Sequence, residues 1–498
     1  MPKNKKKHVF SRTCLDNQEW RETADLNSAY ISQIYDKKPH KCPTKNLTNV
    51  KYKLRIQLIS IRICLGNTLM ETKIYKKRII DDQLQLKLDS FGATLIVGPK
   101  SCGKTTSAKQ KAKSIIEFQD EDLRDGYLAT ANTMPSKLLI GENPRLFDEW
   151  QDAPKIWGAI RKSVDDRNEN GLYILTGSSS IDIETPHTGT ARISTLRMYP
   201  MSLYESGEST GEVSLIDLFN GKSFEFVESK LTMDELIFAI CRGGWPRSLF
   251  NKTPESKLEV AKDIFVQTCN KDISSIDGVK RNKKWAEIIL KSYARNICTL
   301  AETKTIFADA TSTTGMTKST FYEYINALNK LYIIDDLPGW CPSIRSRELI
   351  RASAKRNLVD PSIAVAALGV GPDFFNTDFK TLGFLFESLC VRDLKVYSSK
   401  MRGELSYYHD RYGLEADGVL HLQDGRYALI EFKLGQQEID DAAKHLCKIE
   451  ELIKKHNETE DQVPLKLPDL KVIITATQYG YKREEDGVYV IPIGCLKD

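Results

Sequence analysis

Residues Gly98-Pro99-Lys100-Ser101-Cys102-Gly103-Lys104-Thr105-Thr106 satisfy the pattern Gly-x-x-x-x-Gly-Lys-[Ser/Thr], and their flanks restrict the fold more than any other part of the chain. Ahead of them, Ala93-Thr-Leu-Ile-Val97 is a short apolar, β-branched run of the kind that makes a buried strand. Behind them, the segment 107–116 reads as a helix. Strand, glycine loop and helix together bring successive backbone N–H groups and a helix N-terminus onto a phosphate. Residues 98–106 therefore predict a nucleoside-triphosphate site. In it Lys104 reaches the β/γ-phosphates and the Thr105 hydroxyl reaches Mg²⁺.

Mg²⁺ takes one or two carboxylates and keeps several waters, so an acid is expected at the end of a neighbouring strand. Pro144-Arg-Leu-Phe-Asp148-Glu149 supplies a short apolar approach and then two acids. Asp148 is assigned to the Mg²⁺, and Glu149 to orienting or deprotonating the attacking water. The next apolar run, Leu172-Tyr-Ile-Leu-Thr176-Gly-Ser178, ends in hydroxyls. P-loop ATPases with an additional strand place a γ-phosphate sensor at such a point. Ser178 is the first choice for that role and Thr176 the second. Downstream, Arg192 and Arg197 are both candidates to stabilise charge on the transferred phosphoryl group, in cis or across a subunit interface of a homo-oligomer.

Several segments together resemble the prokaryotic AAA-type ATPases that carry a C-terminal domain of unknown function with a restriction-endonuclease-like core. They are Lys76-Lys-Arg-Ile-Ile-Asp81, the 98–106 loop, Leu146-Phe-Asp-Glu-Trp-Gln-Asp-Ala-Pro154 and Leu175-Thr-Gly-Ser-Ser179, with Arg197-Met-Tyr-Pro-Met-Ser-Leu-Tyr-Glu-Ser-Gly207 and Cys241-Arg-Gly-Gly-Trp-Pro246. The resemblance covers residues 70–498 and implies ATP and Mg²⁺ as cofactors, while the family's cellular tasks are mostly unassigned.

A second chemical signal lies near the C-terminus. Glu387 sits on an amphipathic stretch, Asp417 opens a strand, and Tyr427-Ala-Leu-Ile-Glu431-Phe-Lys433 is a strand ending in Glu-x-Lys. Period-two alternation puts Glu431 and Lys433 on one face. An Asp about fourteen residues before Glu-x-Lys is the pattern of the restriction-endonuclease-like fold. In that reading Glu387, Asp417 and Glu431 hold Mg²⁺, and Lys433 assists the water or stabilises the developing charge. The other reading keeps the same fold as a binding platform that does not cleave.

Between the two signals the pattern turns helical. Thr317 caps an expected helix whose outer face carries Lys318, Ser319, Tyr322, Asn326 and Lys330. A short strand is expected after it, which makes the unit winged-helix-like. Such units bind DNA or serve as plain packing modules.

Net charge is +5, but residues 1–80 hold 18 Lys/Arg against 6 Asp/Glu, leaving the remainder at −7. The basic segment 1–69 is read as a nucleic-acid-seeking arm, or as sequence upstream of a true start at Met70. No apolar run approaches the roughly 20 residues of a membrane helix. Eleven cysteines without a Cys-x-x-Cys pair fit reduced thiols in a cytoplasm.

The expected architecture is α/β throughout. A P-loop NTPase domain of AAA type (70–250) precedes a helical and winged-helix-like connector (251–360) and a restriction-endonuclease-like domain (361–498). Two functions follow from this. One is an ATPase that couples hydrolysis to DNA engagement or cleavage; the other is an ATPase switch or scaffold for a protein partner. A nucleotide kinase is disfavoured for want of an acceptor signature.

Overall fold

In the computed structural model residues 75–178, 189–343, 353–410, 413–458 and 463–498 are described. The basic segment 1–69 and Ser179 lie outside them.

Five strands, β1 (Ala93–Val97), β2 (Ser114–Glu117), β3 (Arg145–Asp148), β4 (Tyr173–Gly177) and β5 (Ile193–Arg197), form an all-parallel sheet in the order β2-β3-β4-β1-β5. Strands β1 and β4 are buried at every position. That explains their unbroken apolar sequence, since helices cover both faces of a parallel sheet. One covering helix, Ile80–Ser90, contributes Leu84 and Leu88, and another, Lys155–Arg167, contributes Ile156 and Ile160. Strand β4 lies between the P-loop strand and the acid-bearing β3, so its C-terminal end falls beside both. The helix expected over 107–116 is shorter than its pattern. It runs Lys104–Lys109, and Ile115 and Ile116 join β2 instead, pairing with Leu146 and Phe147. Neighbouring β-branched residues gain more on a pleated surface than in a helical turn.

The chain then makes two short strands, β6 (Val213–Ser214) and β7 (Phe226–Glu228). The helix Met233–Arg242 comes next, and the connector follows with helices Pro254–Gln267, Lys283–Arg295, Thr303–Thr311 and Lys318–Lys330. Thr317 caps the last of these, its hydroxyl accepting from the Thr320 N–H. Lys318, Ser319, Tyr322 and Asn326 are exposed on that helix, and Lys330 is half-buried. The short strand expected next is reduced to isolated antiparallel bridges, Ile334 with Leu358 and Leu337 with Lys355.

The C-terminal part begins with the long helix Phe379–Met401 and the antiparallel meander β8 (Gly403–His409), β9 (Glu415–Leu422) and β10 (Tyr427–Lys433). A helix, Ile439–Asn457, crosses over to β11 (Leu470–Thr475), which runs parallel to β10. Strands β12 (Tyr479–Lys482), β13 (Tyr489–Pro492) and β14 (Leu496–Lys497) follow. The large sheet has the order β7-β12-β13-β11-β10-β9-β8, and β6 pairs with β14. Residues 226–228 therefore join the large C-terminal sheet, and residues 213–214 pair with β14 in a separate two-stranded sheet, although both lie upstream of position 250. They cover edges that would otherwise present unpaired backbone groups. One continuous buried cluster includes Ile96, Leu203, Trp245, Ile289, Leu389 and Ile474, so all three parts share a core. Among the described residues, no helix is long and apolar enough to cross a membrane.

Candidate nucleotide site and a carboxylate–lysine cluster

The phosphate loop is built from conformations that its residues were chosen to allow. Gly98 has φ 150°, and a Cβ there would lie 2.2 Å from the Met198 carbonyl oxygen, so only glycine fits. Gly103 (φ 109°) turns the chain into the helix Lys104–Lys109. Lys104 is buried, its ammonium donating to the carbonyls of Gly98 (3.0 Å) and Pro99 (2.8 Å).

The two acids meet this loop from β3. Thr105 Oγ1 donates to Asp148 Oδ1 at 2.7 Å, and Thr176 at the end of β4 donates to the same oxygen. Burial pushes the Asp148 carboxyl up, and these hydroxyls partly restore its charge. Glu149 takes a left-handed backbone (φ 52°), with its N–H on Thr176 Oγ1 at 3.3 Å. A non-glycine residue in that region is uncommon and clusters at functional sites. The turn delivers the Glu149 carboxylate to Ser178, whose hydroxyl donates to it at 3.1 Å, and to the Gln151 amide. Thr105 and Asp148 are thus adjacent, as residues sharing one Mg²⁺ must be, and Thr176 and Ser178 each hold one of the two acids.

The arginines are placed differently from each other. Arg192 pairs with Asp165 at the surface (2.7 Å). Arg197 ends β5 in register with Val97, immediately before the phosphate loop. Its guanidinium lies over the rings of Tyr199 and Tyr332 and pairs with Asp335 at 2.8 Å. Asp335 also pairs with Lys395 of the helix Phe379–Met401 (2.7 Å).

Arg78, quoted in the resemblance above without a role, clamps the loop. It donates to the carbonyls of Cys102 (2.9 Å) and Tyr199 (2.9 Å), and its Nε lies 3.0 Å from Glu205 Oε1. Lys100 reaches out of the loop to Asp272 at 2.5 Å. Asp272 ends a π-helical turn, Thr268–Asp272.

The segment 199–206 is held in turn from the C-terminal part. Asp393 Oδ2 accepts the Leu203 N–H (2.9 Å), and its Oδ1 pairs with Arg392 (2.6 Å). Arg392 reaches Asp360 at 3.0 Å, and Asp360 accepts the Gly244 N–H at 2.9 Å. All three charged side chains are fully buried. None was legible as a functional residue, because a lone Arg-Asp pair in a helical pattern reads as a solvated face.

Glu387, Asp417, Glu431 and Lys433 are brought together, with one addition that the sequence did not announce. Lys355, which lies within the 251–360 stretch, inserts its ammonium between Glu387 Oε1 (2.6 Å) and Asp417 Oδ1 (3.2 Å). Lys433 lies 2.8 Å from Glu431 Oε2 and 3.7 Å from Asp417 Oδ2, which also accepts the Phe432 N–H at 3.1 Å. Burial and the Asp417 charge push the Glu387 and Glu431 carboxyls up to about 8. Asp417 is held below its usual range despite burial, by Lys355 and Lys433.

A pH dependence follows. Between the ordinary carboxylate range and about 8, the folded chain retains protons on Glu387 and Glu431 that the unfolded chain has released. Stability from these groups is therefore full below about pH 4.5 and is lost as pH rises through 8. The melting temperature is expected to fall between pH 6 and pH 9, with a shallower fall in Glu431→Gln. An equal fall in that variant would place the titration elsewhere.

Three family models match separate stretches of the chain: an "AAA domain" over residues 90–207, a "Domain of unknown function (DUF8612)" over 233–373 and a "Domain of unknown function (DUF4143)" over 382–496. The chain matches none of the curated proteins. Among solved structures it is similar to a Walker-type ATPase of Pyrococcus abyssi, with 14% identity over 60% of this chain and 97% of that one, at a TM-score of 0.38. It is also similar to the ORC2 protein of Aeropyrum pernix in ADPNP and ADP complexes, with 13% identity over 61% and 92% and a TM-score of 0.26. Drosophila ORC bound to DNA matches at 12% identity over 70% and 100%, with a TM-score of 0.19. Loop motif, sheet order and family model agree on a P-loop ATPase domain of AAA type over this part of the chain.

Proposed function

We propose that the chain is a Mg²⁺-dependent ATPase that works as a nucleotide-driven switch, with its C-terminal part as the output. The observation that carries this reading is the chain of buried contacts from the phosphate loop through Arg78 and Glu205 to Leu203, Asp393 and Arg392. Residues 98–106 bind the phosphates, and Lys104 exchanges loop carbonyls for phosphate oxygens. Thr105 and Asp148 hold Mg²⁺, which neutralises charge on the β/γ-phosphates when bound. Glu149, oriented by Ser178, takes a proton from the attacking water. Arg197, whose strand ends beside the loop, would act in cis on leaving Asp335, whereas Arg192 at the surface would act across a subunit interface. The C-terminal helix, three-strand meander, crossover helix and parallel strand support a restriction-endonuclease-like platform.

The competing reading, hydrolysis coupled to DNA engagement, draws on the exposed Lys318, Ser319, Tyr322 and Asn326 of the connector helix. ATP turnover by the full chain, with and without duplex and single-stranded DNA, separates the two. Turnover lost in Lys104→Ala and indifferent to DNA is the expected result. Stimulation by DNA, absent in that variant, would replace the switch with a DNA-coupled enzyme.

A further inference from the structure

The carboxylates that the sequence pattern assigns to Mg²⁺ do not fit a metal as they are arranged here. Both Asp417 oxygens are engaged, Oδ1 by Lys355 and Oδ2 by the Phe432 N–H with Lys433 nearby. Glu387 Oε1 and Glu431 Oε2 are each taken by an ammonium. Glu431 Oε1 is buried with no hydrogen-bond partner. Mg²⁺ demands near-octahedral oxygen ligation at about 2.0–2.1 Å with several waters, and a lysine ammonium already sits where Glu387 and Asp417 converge. Among the described residues, no group of three or more His, Cys, Asp or Glu side chains is set to hold a metal ion.

Lys355 is not a flexible surface lysine that swings aside. Its side chain is 7% exposed. Its N–H and C=O both bond to Leu337 (2.9 and 2.8 Å), and the next residue, Arg356, is tied to Thr299, Ala301 and Asp336. The backbone therefore delivers the amine to one place. A dication entering there would meet Lys355 and Lys433 together, so repulsion adds to the loss of the short contacts these lysines make with Glu387, Asp417 and Glu431.

We infer that Lys355 is the resident cation of this cluster. The native chain takes no divalent ion between Glu387 and Asp417, and removing the amine while keeping its carbon stem opens a site for one. On this inference Glu387, Asp417 and Glu431 do not serve as Mg²⁺ ligands in the native chain, which favours the platform that does not cleave. The inference is independent of the nucleotide site and is tested without nucleotide.

Mn²⁺ binding to the nucleotide-free full chain, followed by electron paramagnetic resonance, reads it directly. Wild type and Asp417→Asn should bind Mn²⁺ alike, because the cluster holds none in either. Lys355→Met should gain one bound Mn²⁺ per chain, lost again when Asp417→Asn is added. Mn²⁺ bound by wild type and abolished by Asp417→Asn would overturn the inference, as would a folded Lys355→Met that gains nothing. Should Lys355→Met fail to fold, the wild-type comparison decides alone: a difference overturns the inference, and identity supports it.

Discussion

Glu149→Gln is expected to cut ATP turnover by about 10²–10⁴-fold, the usual contribution of a positioned general base, while leaving ATP binding intact. Glutamine has nearly the same shape, so it keeps the partners that place the side chain, Ser178 and Gln151. What it loses is the acceptor for the proton of the attacking water. The Asp148 side chain and the phosphate loop are untouched, so the contact of Thr105 with Asp148, on which the proposed metal site rests, is kept. The measurement is single-turnover hydrolysis beside equilibrium binding of a fluorescent ATP analogue. Loss of both together would mean that Glu149 serves the loop's structure. Turnover near wild type would move the base elsewhere, and the left-handed turn at Glu149 would lose its functional explanation.

The second large effect concerns stability. Arg392→Met should destabilise the fold by about 3–5 kcal/mol, because removing one member of a buried ionic group leaves uncompensated charge. Two carboxylates, Asp360 and Asp393, lose their cation in a site fully closed to water. Methionine fills most of the volume, so packing loss is a minor part. Adding Asp360→Asn and Asp393→Asn should recover part of the loss, since the neutral amides no longer need a cation. Urea unfolding of the single and triple variants checks this, and a cost below about 1 kcal/mol for the single variant would rule out the ionic account. The effect should extend to the nucleotide site. Asp393 holds the Leu203 N–H, and Glu205, two residues on, holds Arg78 beside the loop. A milder variant, Arg78→Lys, keeps a charge but loses the fork that spans Cys102 and Tyr199. It should weaken ATP binding without unfolding the chain.

The local pattern determined the nucleotide half of this protein. A glycine loop between an apolar strand and a helix has one compact solution, and the acids and hydroxyls at the ends of the next strands fall beside it because parallel strands all deliver their C-termini to one edge. The juxtaposition of Asp148, Glu149, Thr176 and Ser178 was readable for that reason. Period-two alternation likewise placed Glu431 and Lys433 together. Tertiary structure decided what local spacing has no means to encode. Lys355 reaches Asp417 across 62 positions, Arg78 reaches Glu205 across 127, and β7 joins β12 across some 250. Such pairings depend on how finished elements pack, and a buried charge becomes visible only when its desolvation must be offset by a partner from another element. The sequence by itself thus determined where the glycine loop and the acids of β3 meet; only the packed chain decided that Lys355 lies between the C-terminal carboxylates.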